Sequence, residues 1–427
     1  FNKDTGEIES VEITQYDRLM PEVEALAPDA EVAARVAAAE AQAEELGAEV
    51  VGQMDRATFR GQDEGAGSGS NRGVESTLNS LIADANRASV AKATGADVDL
   101  GIMNAGGVRA DLPKGDVTFQ DVLTVQPFGN SIAYGTLTGQ DILDALEAQW
   151  QPGSSRPRLA LGLSAGFEYA YDPTAEQGQR VISATLDGEE IDPSAEYTVA
   201  TSTFLFDGGD NFASLANVQN LTDVGYMDYS VLNDYIADGA EVQEGQSDIG
   251  ISTEGTLAAG EEVTFNLTSL NYTMEEDPQA TTATVAVGDV QETADIDAQW
   301  NAEEDSQKNE FGRASVTLTL PEDIEATDLV TVTTDAGTKI SVPLSALGAD
   351  EGADDGSKPG SSAPGTGKGS SQGASAAAGI AGVLAAIAGI AAFIGLNGQF
   401  DQFIPANMQR ALGDLRRQLN EVSHIKF

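Results

Sequence analysis

Residues 101–112, GIMNAGGVRADL, bring together side chains that could bind a polar or anionic ligand. Asn104 can both donate and accept hydrogen bonds, and Arg109 stays charged at any working pH and can donate two parallel hydrogen bonds to a phosphate. Gly106 and Gly107 lie between them. Glycine permits positive φ and lets a ligand or a second backbone come close, because it has no Cβ. These residues alone also allow the alternative of a tight turn with a solvated arginine.

Arg72 and Arg109 belong to a local concentration of basic residues in a strongly acidic chain. The 427 residues include 22 Lys or Arg and 69 Asp or Glu, which gives a formal net charge of −47, yet seven basic residues lie between Arg56 and Lys114. An anionic ligand would find its binding partners in this segment. The overall charge excludes nucleic acid polymers and anionic membrane surfaces as general partners.

Two later segments add aromatic and carboxylate groups. QPFGN places Phe128 before a turn glycine, and TFLFDGGDNF contains Phe204, Gly209 and Asp210. Each phenylalanine by itself is typical of a core residue, and Asp210 by itself is typical of a turn. Together they favour a nucleotide site, since two aromatic faces can sandwich a base, a carboxylate can accept hydrogen bonds from ribose hydroxyls, and arginines can hold phosphate.

Strand ends and helix starts are expected to position these groups. The alternation around Leu100 and Ile102 predicts a strand with one buried face that ends near Asn104, and residues 197–204 predict a second strand that reaches Phe204. The spacing in ESTLNSLIADA predicts a helix, and two Thr-x-x-Asp sequences predict capping boxes. Residues 56–220 mix helices with strands, so the predicted fold class for this region is α+β.

The rest of the chain predicts a series of further regions. Residues 28–47 predict a helix that Asp29 caps and Gly47 ends, and residues 250–347 show alternating strands with regular turns, which are typical of an all-β immunoglobulin-like sandwich. Residues 376–396 form an uncharged apolar run of about the 20 residues that cross a bilayer, with a buried helical hairpin as the alternative. The basic tail that follows predicts a cytoplasmic C-terminus and extracellular acidic domains.

We therefore expect a protein at the extracellular face of the cell envelope that is built from six regions. The predicted regions are the end of a preceding domain with a connector helix (1–55), the α+β domain (56–247), the all-β immunoglobulin-like sandwich (250–348), a flexible linker (349–375), a transmembrane helix (376–396) that makes the membrane a partner, and an amphipathic basic tail (397–427).

The motifs NAGGVR, QPFGN and FLFDGGDNF, in this order and with the ESTLNSLIADA segment, resemble the C-terminal substrate-binding domain of the 5'-nucleotidase and UDP-sugar hydrolase family. The resemblance covers about residues 56–215. It implies that a base is clamped between two phenylalanines and that polar groups bind the rest of a nucleotide. The implied substrate-binding residues are Phe128 and Phe204 for the base, Asn104 near the base, Asp210 at the ribose, Arg72 and Arg109 toward the phosphate, and the glycines Gly106, Gly107 and Gly209 beside them.

The resemblance also implies a catalytic domain outside this chain. Members of the family hydrolyse phosphate esters with a divalent metal pair and a His-Asp dyad in an N-terminal metallophosphatase domain. This chain has one histidine, His424, and no cysteine. We therefore expect no catalytic residue, metal or cofactor in this chain, which is interpreted as the C-terminal part of a longer protein.

The function implied by the resemblance is nucleotide binding in a hydrolase, and the predicted transmembrane helix would place that hydrolase at the cell surface. The intact protein would hydrolyse nucleoside 5'-phosphates or UDP-sugars to nucleoside and phosphate, in nucleotide catabolism and salvage. A 2',3'-cyclic-nucleotide phosphodiesterase or 3'-nucleotidase of the same architecture is one alternative. A surface protein that keeps the scaffold for adhesion, without catalysis, is another.

Overall fold

The computed structural model describes residues 29–300 and 310–349. The chain divides into two units, Phe1–Leu46 and Gly47–Phe427. Helix α1 (Ala30–Gly47) occupies most of the described part of the first unit. The Asp29 carboxylate accepts hydrogen bonds from the main-chain NH groups of Glu31 and Val32, both at 3.0 Å, so the predicted cap and the predicted end at Gly47 are confirmed.

The second unit begins with α/β alternation. Its first elements are β1 (Val50–Met54), α2 (Thr77–Thr94), β2 (Leu100–Asn104), β3 (Gly115–Thr118), α3 (Phe119–Val125), β4 (Ser131–Thr138) and α4 (Gly139–Glu147). The elements that follow are β5 (Leu161–Leu163), β6 (Phe167–Tyr171), β7 (Val181–Leu186), β8 (Glu189–Glu190), β9 (Glu196–Ser202), α5 (Thr203–Phe206), β10 (Gln219–Met227) and α6 (Asp228–Ala237). These helices and strands confirm the predicted α+β character of residues 56–220.

Both predicted capping boxes are present. The Thr118 and Thr138 hydroxyls each accept a hydrogen bond from the main-chain NH three residues later. The Asp121 and Asp141 carboxylates accept in turn from the NH groups of Thr118 and Thr138. Such reciprocal bonds satisfy two NH groups that have no partner inside the helix. They fix the starts of α3 and α4, and α3 leads directly to the turn that contains Phe128.

A five-stranded sheet in the order β10-β4-β9-β2-β5 forms the centre of the α+β region. Strand β2 runs parallel to β9 and antiparallel to β5. Leu100 and Ile102 pack into one hydrophobic cluster with α4, while Met103 packs into a second with α2 and α6. The expectation of a single buried face for β2 was therefore wrong: all five of its residues are buried, because helices cover both faces of this central strand.

The strands β11 (Asp248–Gly255), β12 (Glu262–Thr268) and β15 (Ala314–Thr319) follow the α+β region. They join three of its strands in a six-stranded sheet with the order β15-β12-β11-β6-β7-β8. Strand β11 pairs parallel with β6, with Asp248 beside Tyr169 and Gly250 beside Tyr171. The sheet is thus continuous across residues 247–250.

A four-stranded sheet packs against this shared sheet. Its order is β14-β13-β16-β17, built from β13 (Thr282–Val287), β14 (Val290–Asp295), β16 (Leu329–Thr334) and β17 (Lys339–Pro343). Apolar residues of both sheets form a third hydrophobic cluster, which includes Phe265 and Val285. Two packed sheets agree with a sandwich, whereas its immunoglobulin-like character stays a prediction.

The predictions for residues 349–427 concern, apart from Ala349, residues that the structure does not describe. Within residues 29–300 and 310–349, none of the helices has both the length and the apolar composition to cross a bilayer. The predicted transmembrane helix (376–396) and basic tail (397–427), and the predicted linker (349–375) apart from Ala349, lie outside the described residues.

Candidate functional site

The ends of three strands meet at one edge of the five-stranded sheet. Strand β4 is antiparallel to β9, with Ile132 opposite Ser202, and β2 is parallel to β9, with Gly101 opposite Ala200. The C-terminal ends of β2 and β9 and the N-terminal end of β4 therefore lie together. This topology brings Asn104, the turn with Phe128 and the turn with Phe204 to the same edge.

Asn104 and Asp210 are in direct contact at this edge. The Asn104 Nδ2 donates a hydrogen bond to Asp210 Oδ2 at 2.7 Å. Residues 105–107 form a single 3-10 turn after β2. A Cβ on Gly106 would come within 2.8 Å of Asp210 Oδ2 and 3.5 Å of Arg72 Nη1. The absence of a side chain at Gly106 is therefore what lets three polar groups from distant segments converge.

The segment that presents Asp210 has an unusual backbone. Asp210 and Asn211 both have positive φ, 55° and 69°, and this left-handed region is uncommon for residues other than glycine. Gln151 holds the conformation, because its Nε2 donates to the main-chain oxygen of Asp210 at 2.8 Å. A Cβ on Gly209 would lie 2.4 Å from the ring of Phe204, so the backbone packs directly on that ring.

Phe204 and Phe128 both expose a large part of their rings. Phe128 is 56% exposed and Phe204 is 41% exposed, so neither behaves as a core residue. Phe204 does not lie in a strand as predicted: β9 ends at Ser202, and residues 203–206 form one helical turn that the Ser202 hydroxyl caps by accepting from the NH of Leu205. The β-branched and aromatic pattern continues to Phe204, but the capping hydroxyl of Ser202 ends the strand two residues earlier.

The turn after Phe128 is fixed by a buried carboxylate. Asp228 Oδ2 accepts from the main-chain NH of Asn130 at 3.0 Å, and the NH of Asp228 donates to the Asn130 oxygen at 2.9 Å. Burial raises the pKa of Asp228 to about 6, although its main-chain hydrogen bonds oppose the rise. The exposed ring of Phe128 thus stands on a well-anchored turn.

Arg72 and Arg109 supply positive charge next to these groups. The Arg109 guanidinium carbon lies 5.9 Å from the centre of the Phe128 ring. Burial, followed by the nearby charges of Arg156 and Arg109, lowers the pKa of Arg72 to about 10, while Asp210 acts in the opposite direction. Arg72 therefore remains protonated at neutral pH. Burial and the neighbouring arginines raise the free energy of its charged form, and an added anion would lower it.

Arg60 has a supporting role. Its Nε donates to Asp111 at 2.9 Å, and its Nη1 donates to the main-chain oxygen of Arg109 at 2.8 Å. Because its charge is already paired, Arg60 holds the chain that contains Arg109 and leaves the Arg109 side chain to a ligand. Gly107 sits against Met103 and Asn104, where a Cβ would come within 2.4 Å and 3.0 Å of their side chains.

The structure places all nine predicted residues around this edge or on the turns that lead to it, and adds two that the sequence did not reveal. Gln151 and Arg156 come from the loop of residues 151–157, which contains no recognisable motif. Within the part of the chain that the structure describes, no group of three His, Cys, Asp or Glu residues could hold a metal ion.

Comparisons with known proteins identify the region around this site. Residues 50–217 match the model of the family described as 5'-nucleotidase, C-terminal domain. The chain is similar to the trifunctional nucleotide phosphoesterase protein YfkN of Bacillus subtilis, with 34% identity over 170 residues, 39% of this chain and 11% of that protein. It is also similar to the protein UshA of Escherichia coli, with 35% identity over 146 residues, 34% of this chain and 24% of that protein.

Among solved structures, a 5'-nucleotidase precursor from Thermus thermophilus has 29% identity and a TM-score of 0.43, covering 53% of this chain and 44% of that one. The chain thus spans about a tenth of the Bacillus relative and about a quarter of the Escherichia relative. The resemblance stated from the motifs is confirmed for residues 50–217.

Proposed function

We propose that this edge of the sheet binds a nucleotide, because it lies in residues 50–217, which match the model of the 5'-nucleotidase C-terminal domain. The base stacks between Phe128 and Phe204, whose rings are exposed. Asp210 accepts hydrogen bonds from the ribose hydroxyls, and Asn104 contributes a donor and an acceptor beside it. Arg72 and Arg109 bind the phosphate.

The observation that carries this proposal is the convergence at Gly106. A hydrogen-bonded amide and carboxylate, an arginine and a bare stretch of backbone lie within contact distance of one position. Within residues 29–300 and 310–349, the guanidinium groups of Arg72 and Arg109 make no hydrogen bond or ion pair, in a chain with 69 acidic residues. Unpaired arginines next to exposed aromatic rings and an oriented carboxylate suit a phosphorylated nucleoside.

In the intact protein, this domain would serve a hydrolase of nucleoside 5'-phosphates or UDP-sugars. The metal pair that activates water in such enzymes would belong to another domain, and the residues described here would contribute binding energy and orientation of the substrate. We place the protein at the extracellular face of the cell envelope, anchored through residues 376–396. Protease accessibility of the acidic domains on intact cells would test that placement.

The nucleotide site is tested by titrating the full chain with AMP, UMP and adenosine in a calorimeter. A double variant, Phe128→Ala with Phe204→Ala, should lose saturable binding, because stacking contributes about 1 to 3 kcal/mol for each aromatic contact. Leu329→Ala, which also removes an exposed apolar side chain, should bind normally. Unchanged binding in the double variant would refute the nucleotide site and favour the adhesion hypothesis.

A further inference from the structure

The loop of residues 151–157 projects beside the candidate site from a firmly anchored base. The NH of Gln151 donates to the oxygen of Pro157 at 2.7 Å, which closes the loop. Trp150 and Arg158 pair across its base. Arg158 is buried and binds the Asp248 carboxylate at 2.7 Å. The loop therefore begins and ends on a fixed part of the protein.

Three hydrogen bonds connect this loop and its C-terminal flank to the nucleotide-binding segments. Gln151 Nε2 donates to the main-chain oxygen of Asp210 at 2.8 Å, and its Oε1 accepts from Asn211 Nδ2 at 2.9 Å. The NH of Ala160 donates to the main-chain oxygen of Arg72 at 2.7 Å. The loop thus borders the carboxylate on one side and an arginine on the other.

Arg156 is the charged residue of this loop. It is exposed, and its guanidinium makes no hydrogen bond or ion pair with any residue that the structure describes. Its charge is close enough to lower the pKa of Arg72, and it does so more than Arg109 does. Three unpaired guanidinium groups therefore lie near one another in a chain whose net charge is −47.

This arrangement is unfavourable without a ligand. Like charges near a partly buried group raise the free energy of the unliganded protein, and acidic residues are plentiful enough elsewhere in the chain to have paired with these arginines. A phosphate relieves the repulsion, because it brings up to two negative charges and several acceptor oxygens that planar guanidinium groups bind well.

We infer that Arg156 is a third phosphate-binding residue and that the 151–157 loop forms a further wall of the nucleotide site. The ligand is the phosphate group of the bound nucleotide. The inference rests on the proposed function, and it adds a residue that neither the sequence motifs nor the family resemblance assigns. The three arginines together bind one dianionic phosphate more tightly than Arg72 and Arg109 alone.

The test compares Arg156→Gln with Lys339→Gln, which removes the same charge from β17 of the sandwich. Full-length proteins are titrated with AMP, ADP and adenosine at low and high salt. Arg156→Gln should weaken AMP and ADP binding about tenfold, since a hydrogen bond to a charged group is lost, and should leave adenosine binding unchanged. High salt should shrink the difference. Lys339→Gln should behave as the wild type.

The outcomes separate this inference from the proposed function. If the wild type binds AMP and Arg156→Gln binds it equally well, Arg156 does not bind phosphate, while the nucleotide site stands. An equal loss of AMP and adenosine would also overturn the inference, because the loop would then act through its shape. If the wild type binds none of the three ligands, the proposed function fails and the inference fails with it.

Discussion

Gly106→Ala isolates the contribution of the bare backbone at the centre of the site. The new Cβ would come within 2.8 Å of Asp210 Oδ2, whereas ordinary contacts begin at 3.4 Å. The carboxylate must therefore move by about 0.6 Å, the difference between those distances. That shift lengthens or breaks the 2.7 Å hydrogen bond from Asn104 and displaces the oxygen that we assign to the ribose.

We expect Gly106→Ala to weaken nucleotide binding and to leave the stability of the fold almost unchanged. Gly106 does not have positive φ, and the nearest atoms are the ends of side chains, so the free energy of unfolding should change by at most about 1 kcal/mol. A hydrogen bond to a charged group contributes about 1.5 to 3 kcal/mol. The dissociation constant for AMP should therefore rise about tenfold to a hundredfold.

Calorimetric titration with AMP, paired with a thermal unfolding curve for each variant, measures both quantities. Gly67→Ala is the matched control, because a Cβ there meets no atom within 4 Å, and it should bind as the wild type does. Wild-type affinity in Gly106→Ala would refute the role assigned to the Asn104–Asp210 pair. A large fall in melting temperature would refute the claim that the backbone tolerates a side chain at this position.

Two further predictions concern stability. Arg158→Ala removes the partner of Asp248 from a pair whose side chains are 3% and 4% exposed. The free energy of unfolding in denaturant should drop by about 3 to 5 kcal/mol, and a drop below about 1 kcal/mol would show that the pair is dispensable. Asp277 accepts from the Thr77 hydroxyl at 2.8 Å, and burial raises the pKa of Asp277 to about 7 although this bond opposes the rise. The pKa of Asp277 in the folded state exceeds the unfolded value of about 3.9, so the folded state binds more protons between about pH 4 and 7. The free energy of unfolding therefore falls as pH rises through that range, by up to about 1.4 kcal/mol per pH unit. Asp277→Asn should flatten this part of the pH profile in denaturant titrations at several pH values, and an unaltered slope would assign it to other groups.

Local signals in the sequence predicted much of the fold because their causes are local. The caps at Thr118 and Thr138 depend on a hydroxyl and a carboxylate three residues apart, and both formed. Phe204 was misplaced because its aromatic and β-branched neighbours favour a strand, whereas the Ser202 hydroxyl starts a helical turn.

Local sequence patterns did not predict the contacts between distant segments. Asn104 and Asp210 are separated by 106 residues, and only the parallel pairing of β2 with β9 brings their strand ends together. The motifs identified the candidate residues through a family resemblance, but they did not predict how these residues contact one another. Arg156 lies in a loop without a recognisable motif, and its proximity to Arg72 follows from the hydrogen bonds that connect the loop and its flank to Asp210 and Arg72.

The sheet shared by β6 and β11 determines where the chain can be divided into fragments. The family match ends at residue 217, but the main-chain pairing of β11 with β6 and β12 extends across the later region. Removal of the sequence after residue 247 would leave β6 with an open edge, which invites pairing between chains. A fragment that ends before β11 should therefore aggregate more readily than one that keeps the sandwich strands.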